Sequence, residues 1–171
     1  TIVYRKTLLM HPMCMLAYYN NAYVLDLLGK TDESIQMYQQ VISLDPKFVD
    51  GYYNLAIVLT TIGNYEEAEK HFMKVLELKP SEAAYVSNCI GYSYFLRGIF
   101  PNAITEFQKS IRLNENYSIG YLNLSLVFYC DEKPEEAAKY YEEGIEALEE
   151  NPNKMETLKE YIENYVNEKN R

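Results

Sequence analysis

Apolar positions along this chain recur with a helical period that is interrupted at regular intervals. The clearest stretch runs from Val49 to Glu82. Within it Tyr52, Leu55, Ala56 and Leu59 fall three or four residues apart and share one helical face. Gly63-Asn64 then breaks the pattern, and Ala68, Phe72, Val75 and Leu78 form the inner face of a second helix before Pro80 stops it. The spacing therefore predicts helix, turn, helix and stop within 34 residues.

The same layout recurs before and after this stretch. Turn glycines stand at Gly29, Gly63 and Gly98, spaced by 34 and 35 residues, and Pro12, Pro46 and Pro80 are spaced by 34. Small residues recur in the first helices at Ala22, Ala56, Gly91 and Ser125, and in the second helices at Ser34, Ala68, Ala103 and Ala137. Aromatics follow four residues later at Tyr38, Phe72, Phe107 and Tyr141. Small slots let two helices approach closely, and the aromatic is expected to fill the space between one pair and the next. Glycine after the first helix permits a left-handed C-terminal residue. Asn64 with Glu67 three residues on is expected to form an N-terminal capping pair. Proline between pairs cannot continue a helix and fixes the corner.

In these positions the chain resembles the tetratricopeptide repeat family. Tyr52, Leu55-Ala56, Leu59, Ala68, Phe72, Val75 and Pro80 stand at that family's pattern positions, and the likeness extends over roughly residues 15–150. The resemblance implies an all-α fold, a right-handed superhelical solenoid of antiparallel helix pairs closed by a C-terminal capping helix. One such domain would fill 1–171, with repeats at 15–48, 49–83, 84–117 and 118–151. Three departures affect local turns. Repeat three has an extra residue near Ala83 and Ser87 in its aromatic slot. Repeat four has Asp131-Glu132-Lys133-Pro134 in place of the turn glycine, and Glu115 where the preceding proline would stand.

The ends read differently. Residues 1–14, with Tyr4 in the aromatic slot, Leu8 and Met10 on the inner face and Pro12 closing, are expected to be the second helix of a preceding repeat, so the chain reads as cut from a longer protein. In 152–171, Asn153 and Glu156 suggest an N-cap. Met155, Leu158, Tyr161, Ile162, Tyr165 and Val166 make one apolar stripe beneath Glu160, Glu163 and Lys169. That is the pattern of a solvating cap, which a solenoid needs at its end.

Composition narrows the function. Of 171 residues 48% are apolar, enough for a continuous core, and 24% are charged. The net charge is −9 with no basic stripe, which argues against nucleic acid and against an anionic membrane surface. No apolar run approaches the roughly 18 residues that a membrane span needs, and no signal peptide is visible. Cys14, Cys89 and Cys130 fit neither a disulfide framework nor a zinc site, which points to reduced thiols and a cytoplasmic location. His11 and Cys14 lie three apart with Pro12 between them and no further ligand near, so no metal is expected. No phosphate-binding glycine loop and no nucleophile–base motif is present. No cofactor is expected, and an enzyme is not the expected reading.

The resemblance implies that the first helices line a concave peptide-binding surface. Its candidate residues are Tyr19, Asn20 and Tyr23 (with Asp26) in repeat one and Asp50, Tyr53, Asn54 and Ile57 (with Thr61) in repeat two. Repeat three supplies Tyr85, Asn88 and Tyr92 (with Phe95), and repeat four Leu122, Asn123 and Leu126 (with Tyr129). An asparagine there is also commonly a tie between neighbouring helices. The stretches 15–28, 49–62, 84–96 and 118–130 contain no Lys and no Arg. Members of the family that grip chaperone C-terminal carboxylates use Lys, Asn and Arg on these helices. Asn54 matches one such Asn but the cations are missing, so no carboxylate-clamp chaperone tail is expected. The expected partner is a protein or peptide segment with apolar anchors, extended or helical, held chiefly by Tyr19, Tyr23, Tyr53 and Tyr92. Two alternatives stand beside it: self-association into a homo-oligomer, and service as the recruiting arm of a larger enzyme.

Overall fold

The computed structural model of the protein describes the backbone of residues 12–149 and the side chains of 15–148. Of the expected half-repeat at 1–14 only the backbone of 12–14 is described, and the side chains of the His11–Cys14 pair and the expected cap helix at 152–171 lie outside the described residues. Within them the chain is all helical. It runs α1 (Pro12–Leu27), α2 (Thr31–Leu44), α3 (Val49–Thr61), α4 (Tyr65–Leu78), a 3-10 turn (Pro80–Glu82), α5 (Ala83–Leu96), α6 (Phe100–Leu113), α7 (Ser118–Cys130) and α8 (Pro134–Glu149). The helix α1 begins at Pro12, earlier than residue 15, where the first repeat was expected to start. A proline is tolerated at a first helical position because its missing N–H has no intrahelical acceptor there.

The helices form two compact units, one reaching Glu82 and the other starting at Ala83. In the first unit α1 packs on α2, α3 on α4, and α2 on α3. Its interior holds Ala22, Tyr38, Val41, Leu55, Ala56, Ala68, Phe72 and Val75. The small slots bring the helices of a pair close enough for a side chain of one to reach the backbone of the other. Ser34 Oγ donates to the Ala22 carbonyl at 2.8 Å. In the second unit α5 packs on α6, α6 on α7 and α7 on α8. There the donor sits in the other slot, and Ser125 Oγ donates to the Ala137 carbonyl at 2.7 Å. Ala103, Phe107, Leu124 and Val127 form the buried centre, with Tyr92, Phe95, Phe128 and Tyr140 packed around it.

Gly91 shows why its slot stays small. A Cβ there would lie 2.8 Å from Phe107 Cδ1, and Phe107 is itself buried. The aromatic slot is filled as expected by Tyr38, Phe72 and Phe107, all buried, whereas Tyr141 is 44% exposed.

The four tight turns share one hydrogen-bond pattern. The N–H of Lys30, Asn64, Ile99 and Lys133 each reaches back to the carbonyl of Leu25, Leu59, Tyr94 and Phe128 at 2.8–2.9 Å. The residue before each donor is left-handed: Gly29, Gly63 and Gly98 have φ between 69° and 82°, and Glu132 has φ 58°. The Asp-Glu-Lys-Pro segment therefore builds the same turn with a residue whose Cβ disfavours it. Glu132→Gly is expected to stabilise the fold by about 1 kcal/mol, the left-handed penalty less the entropy glycine adds to the unfolded chain. A urea titration beside wild type measures it, and an unchanged or lower midpoint contradicts it.

The capping pair expected at Asn64 and Glu67 does not form. Asn64 makes no side-chain cap bond; its backbone carbonyl instead accepts from Ala68 N–H at 3.1 Å. The Glu67 carboxylate is drawn to the Lys70 ammonium at 2.7 Å. The left-handed turn leaves Asn64 at ψ 64°, away from the extended backbone a side-chain cap requires.

The corners between pairs explain how Glu115 replaces a proline. Asp45 Oδ1 accepts from Lys47 N–H at 2.9 Å at the first corner, and Asn114 Oδ1 accepts from Asn116 N–H at 3.2 Å at the equivalent one. The Asx side chain turns the backbone itself, so the ring is dispensable. At Lys79 the extra residue is absorbed by the 3-10 turn, in which Glu82 N–H donates to the Lys79 carbonyl at 3.1 Å.

Candidate protein-binding surface

The candidate residues lie on the first helix of each pair, so their faces are fixed by the apolar stripes that those helices bury. On α1, Leu25 and Ala22 point inward. That leaves Asn20 and Tyr23 exposed, with Tyr19 and Asp26 half-buried beside them. On α3, Leu55, Ala56 and Leu59 are buried. Asp50 and Thr61 are exposed, and Tyr53, Asn54 and Ile57 are half-buried.

These two stripes meet within the first unit. Asn54 Nδ2 donates to the Tyr19 hydroxyl at 2.8 Å. The Tyr19 ring stands edge-on to Tyr38 at 6.0 Å and to Phe48 at 5.3 Å. Tyr53 stands edge-on to Phe72 at 6.2 Å. Tyr19 and Tyr53 thus support the interior while showing an edge to solvent, and Tyr23, 53% exposed, is the freest aromatic of this face. Burial, followed by the charge of Asp50, raises the pKa of the Tyr19 hydroxyl. Burial alone raises that of the Asp26 carboxyl.

In the second unit Asn123 Nδ2 donates to Asn88 Oδ1 at 2.9 Å, and both amides are buried. The Asn54–Tyr19 and Asn123–Asn88 bonds each span 35 residues and occupy equivalent places in the repeat. They tie one first helix to the next, which is the role an asparagine there commonly has. Leu122 is buried against Leu148 and Ile145 of α8. Asn88, Leu122 and Asn123 are therefore buried residues that leave little surface for a partner. Tyr85 packs on Tyr117 at 4.8 Å and Tyr92 on Phe95 at 6.0 Å. Leu126 is half-buried, and Tyr129 is 68% exposed. Leu27 and Leu28, which the repeat pattern does not single out, are also strongly exposed. An apolar pair directly before a turn glycine is the sequence signal that marks them.

The charges divide by helix. Ion pairs on second helices and turns include Lys30–Glu33 at 3.5 Å, Lys74–Glu77 at 2.6 Å and Lys109–Glu106 at 3.2 Å. Of the first helices, α1 and α3 carry one carboxylate each, Asp26 and Asp50, α5 and α7 carry none, and none of the four carries Lys or Arg. His71, on α4, lies 5.9 Å from the Tyr52 ring, and burial lowers its pKa. Among the described residues no group of three His, Cys, Asp or Glu is placed to hold a metal ion. Among them too, no helix is long and apolar enough to cross a membrane.

Residues 49–82 match the family model described as "Tetratricopeptide repeat", and residues 22–63 match one described as "TPR repeat". No curated protein matches the chain in sequence. Among solved structures, a crystal structure of MamA is 20% identical, with 88% of this chain and 87% of that chain covered and a TM-score of 0.65. The 41-end form of MamA from Desulfovibrio magneticus RS-1 is 19% identical over 80% and 77% of the two chains, with a TM-score of 0.65. BtubC (BKLC) from P. vanneervenii is 17% identical over 84% and 70%, with a TM-score of 0.67. At such identities the likeness is one of fold, that of a solenoid of helix pairs.

Proposed function

We propose, from the premise that residues 22–82 are tetratricopeptide repeats, that this chain is a protein–protein interaction scaffold whose first helices bind an apolar-anchored segment of a partner. The observation that carries the reading is the composition of the outward face of those helices. It offers tyrosine, amide and carboxylate groups and no Lys or Arg, and Asn20, Tyr23 and Asp50 stay exposed on it. Tyrosine suits such a surface because a large ring with few rotors contacts apolar anchors while its hydroxyl stays wet. Side-chain amides and carboxylates there accept and donate to a partner's backbone and polar groups. A tail that binds through its C-terminal carboxylate finds no charge-assisted donor on this face. The chain's role is recruitment, not catalysis, in a reducing cytoplasmic compartment suited to its three cysteines.

Tyr23 is the sharper probe, because Tyr53 also supports Phe72 and its removal would disturb the interior. Tyr23→Ala is expected to weaken capture of the partner from native lysate about tenfold, the effect of an aromatic hot spot worth about 1.4 kcal/mol. Met73→Ala, at an exposed apolar residue of the second helix α4, is the control and is expected to change nothing. Equal capture by wild type and Tyr23→Ala would contradict the reading.

A further inference from the structure

The outer side of α1 carries a heptad pattern. Leu16, Asn20, Tyr23 and Leu27 follow at steps of four, three and four residues, the spacing of d, a, d and a positions in a coiled-coil seam. All four are exposed, Leu16 at 50%, Tyr23 at 53% and Leu27 at 69%, while Ala22 and Leu25 are buried on the opposite side of the helix. On α3 the same repeat positions hold Asp50, Asn54, Ile57 and Thr61, so a carboxylate and a hydroxyl interrupt the stripe there. The seam also stands clear of the side that a preceding second helix covers. In the second unit Leu124 and Val127 pack on Phe107, and their counterparts on α1 are Asn21 and Val24.

Asn20 is the informative member. A single amide in an apolar seam favours the one register in which it finds a hydrogen-bond partner. Its repeat counterparts find theirs on a neighbouring first helix: Asn54 Nδ2 donates to the Tyr19 hydroxyl at 2.8 Å, and Asn123 Nδ2 to Asn88 Oδ1 at 2.9 Å. Asn20 holds the same position and is exposed. The seam is complementary to itself. When α1 is laid antiparallel on α1 of a second copy, Leu16 faces Leu27 of the second copy and Asn20 faces its Tyr23. The amide–phenol chemistry of Asn54 and Tyr19 is then repeated twice. The four seam residues carry no charge, so nothing on the seam repels its own image. The nearby Asp26 lies nine residues along the axis from its symmetry mate, about 13 Å at the helical rise. A parallel pair would instead set the two carboxylates at one level, where they repel.

We infer that α1 pairs antiparallel with α1 of a second copy of this chain through Leu16, Asn20, Tyr23 and Leu27. The inference rests on the scaffold reading and names a second copy as a partner of the first-helix face. The contact uses the same surface on both copies, so it closes as a dimer and builds no larger species. Standard interfaces use roughly 20–30 residues a side and this seam supplies far fewer, so the dimer is weak, with a Kd of about 10–100 µM. The net charge of −9 on each copy opposes the encounter, and association therefore strengthens as salt screens it.

The test is sedimentation equilibrium of the whole chain at low and high salt, over concentrations from about tenfold below to tenfold above that Kd. Wild type is expected to pass from monomer to dimer, more readily at high salt. Leu16→Lys and Leu27→Glu each place an unpaired charge in the seam and are expected to weaken the dimer at least tenfold. Both positions are exposed, so the fold accepts either charge. A one-to-one mixture of the two variants is expected to recover most of the dimer, because the antiparallel register sets the new ammonium against the new carboxylate. Met73→Glu, at an exposed residue of α4, is expected to change nothing. Loss without rescue in the mixture would overturn the antiparallel register and with it the inference. A dimer indifferent to both substitutions, or a monomer throughout, would overturn it as well. Lysate capture that still depends on Tyr23 would then leave the scaffold reading standing, and capture indifferent to Tyr23 would count against both.

Discussion

Phe107→Ala is expected to lower the unfolding free energy by about 3–5 kcal/mol, the usual cost of removing a buried phenylalanine. Phe107 of α6 is buried against Leu124 and Val127 of α7 and faces Gly91 of α5, so the vacated volume is bordered by three helices. Collapse would have to move α5 and α7 toward α6 together, and packed helices do not deform so freely. A domain of this size has about 5–15 kcal/mol in all, so the variant should sit near its unfolding threshold at 37 °C. Urea titration followed by circular dichroism measures the loss. Gly91 provides an internal check, since its missing Cβ is dictated by the ring at 2.8 Å. Gly91→Ala should destabilise wild type by roughly 1–3 kcal/mol through overpacking. In the Phe107→Leu background it should cost less or help, because the obstructing ring is gone and alanine favours the helix. Equal effects in both backgrounds would show that the contact does not set the size of the slot.

The second large effect concerns the amide tie. Asn123→Leu removes the donor at 2.9 Å from Asn88 and leaves the latter's buried oxygen without that bond. The expected cost is about 1–3 kcal/mol, that of a buried polar group left unsatisfied. Asn88→Leu should cost a similar amount. The Asn88→Leu/Asn123→Leu protein should be more stable than either single variant, because two apolar groups of like volume leave no buried polar atom behind. Strict additivity of the two losses would mean that the amides act independently, contrary to the geometry.

The helix pairs were legible because the apolar period, the turn glycines and the small and aromatic slots all repeat together. Ala22, Ser34, Tyr38, Ala56, Ala68, Phe72, Ala103 and Phe107 are buried for the reason their spacing suggests. Glu132 was not legible as a turn residue, since sequence rules assign left-handed backbone to glycine or asparagine, and here the surrounding hydrogen bonds impose it. The Asn64 cap failed for the converse reason: a side-chain signal was overridden by the backbone geometry of the preceding glycine turn.

The candidate surface was legible only in part. Helical spacing finds which helix face a residue shares, but not how deeply a neighbour covers it. Asn88, Leu122 and Asn123 therefore looked like lining and are buried. Asn54 and Tyr19 looked like separate ligand contacts and are bonded to each other. The charge division between first and second helices was readable outright, because it needs only the register. The half-buried place of Asp26 at a helix end, where burial raises its pKa, is not revealed by the register alone.

The most direct measurement is a map of backbone amide chemical shifts during titration with the partner segment recovered by capture from native lysate. Binding at the first helices predicts that the largest changes fall in 19–26 and 50–57, with the second helices 31–44 and 65–78 little altered. Changes concentrated on the second helices, with 19–26 and 50–57 silent, would contradict the account.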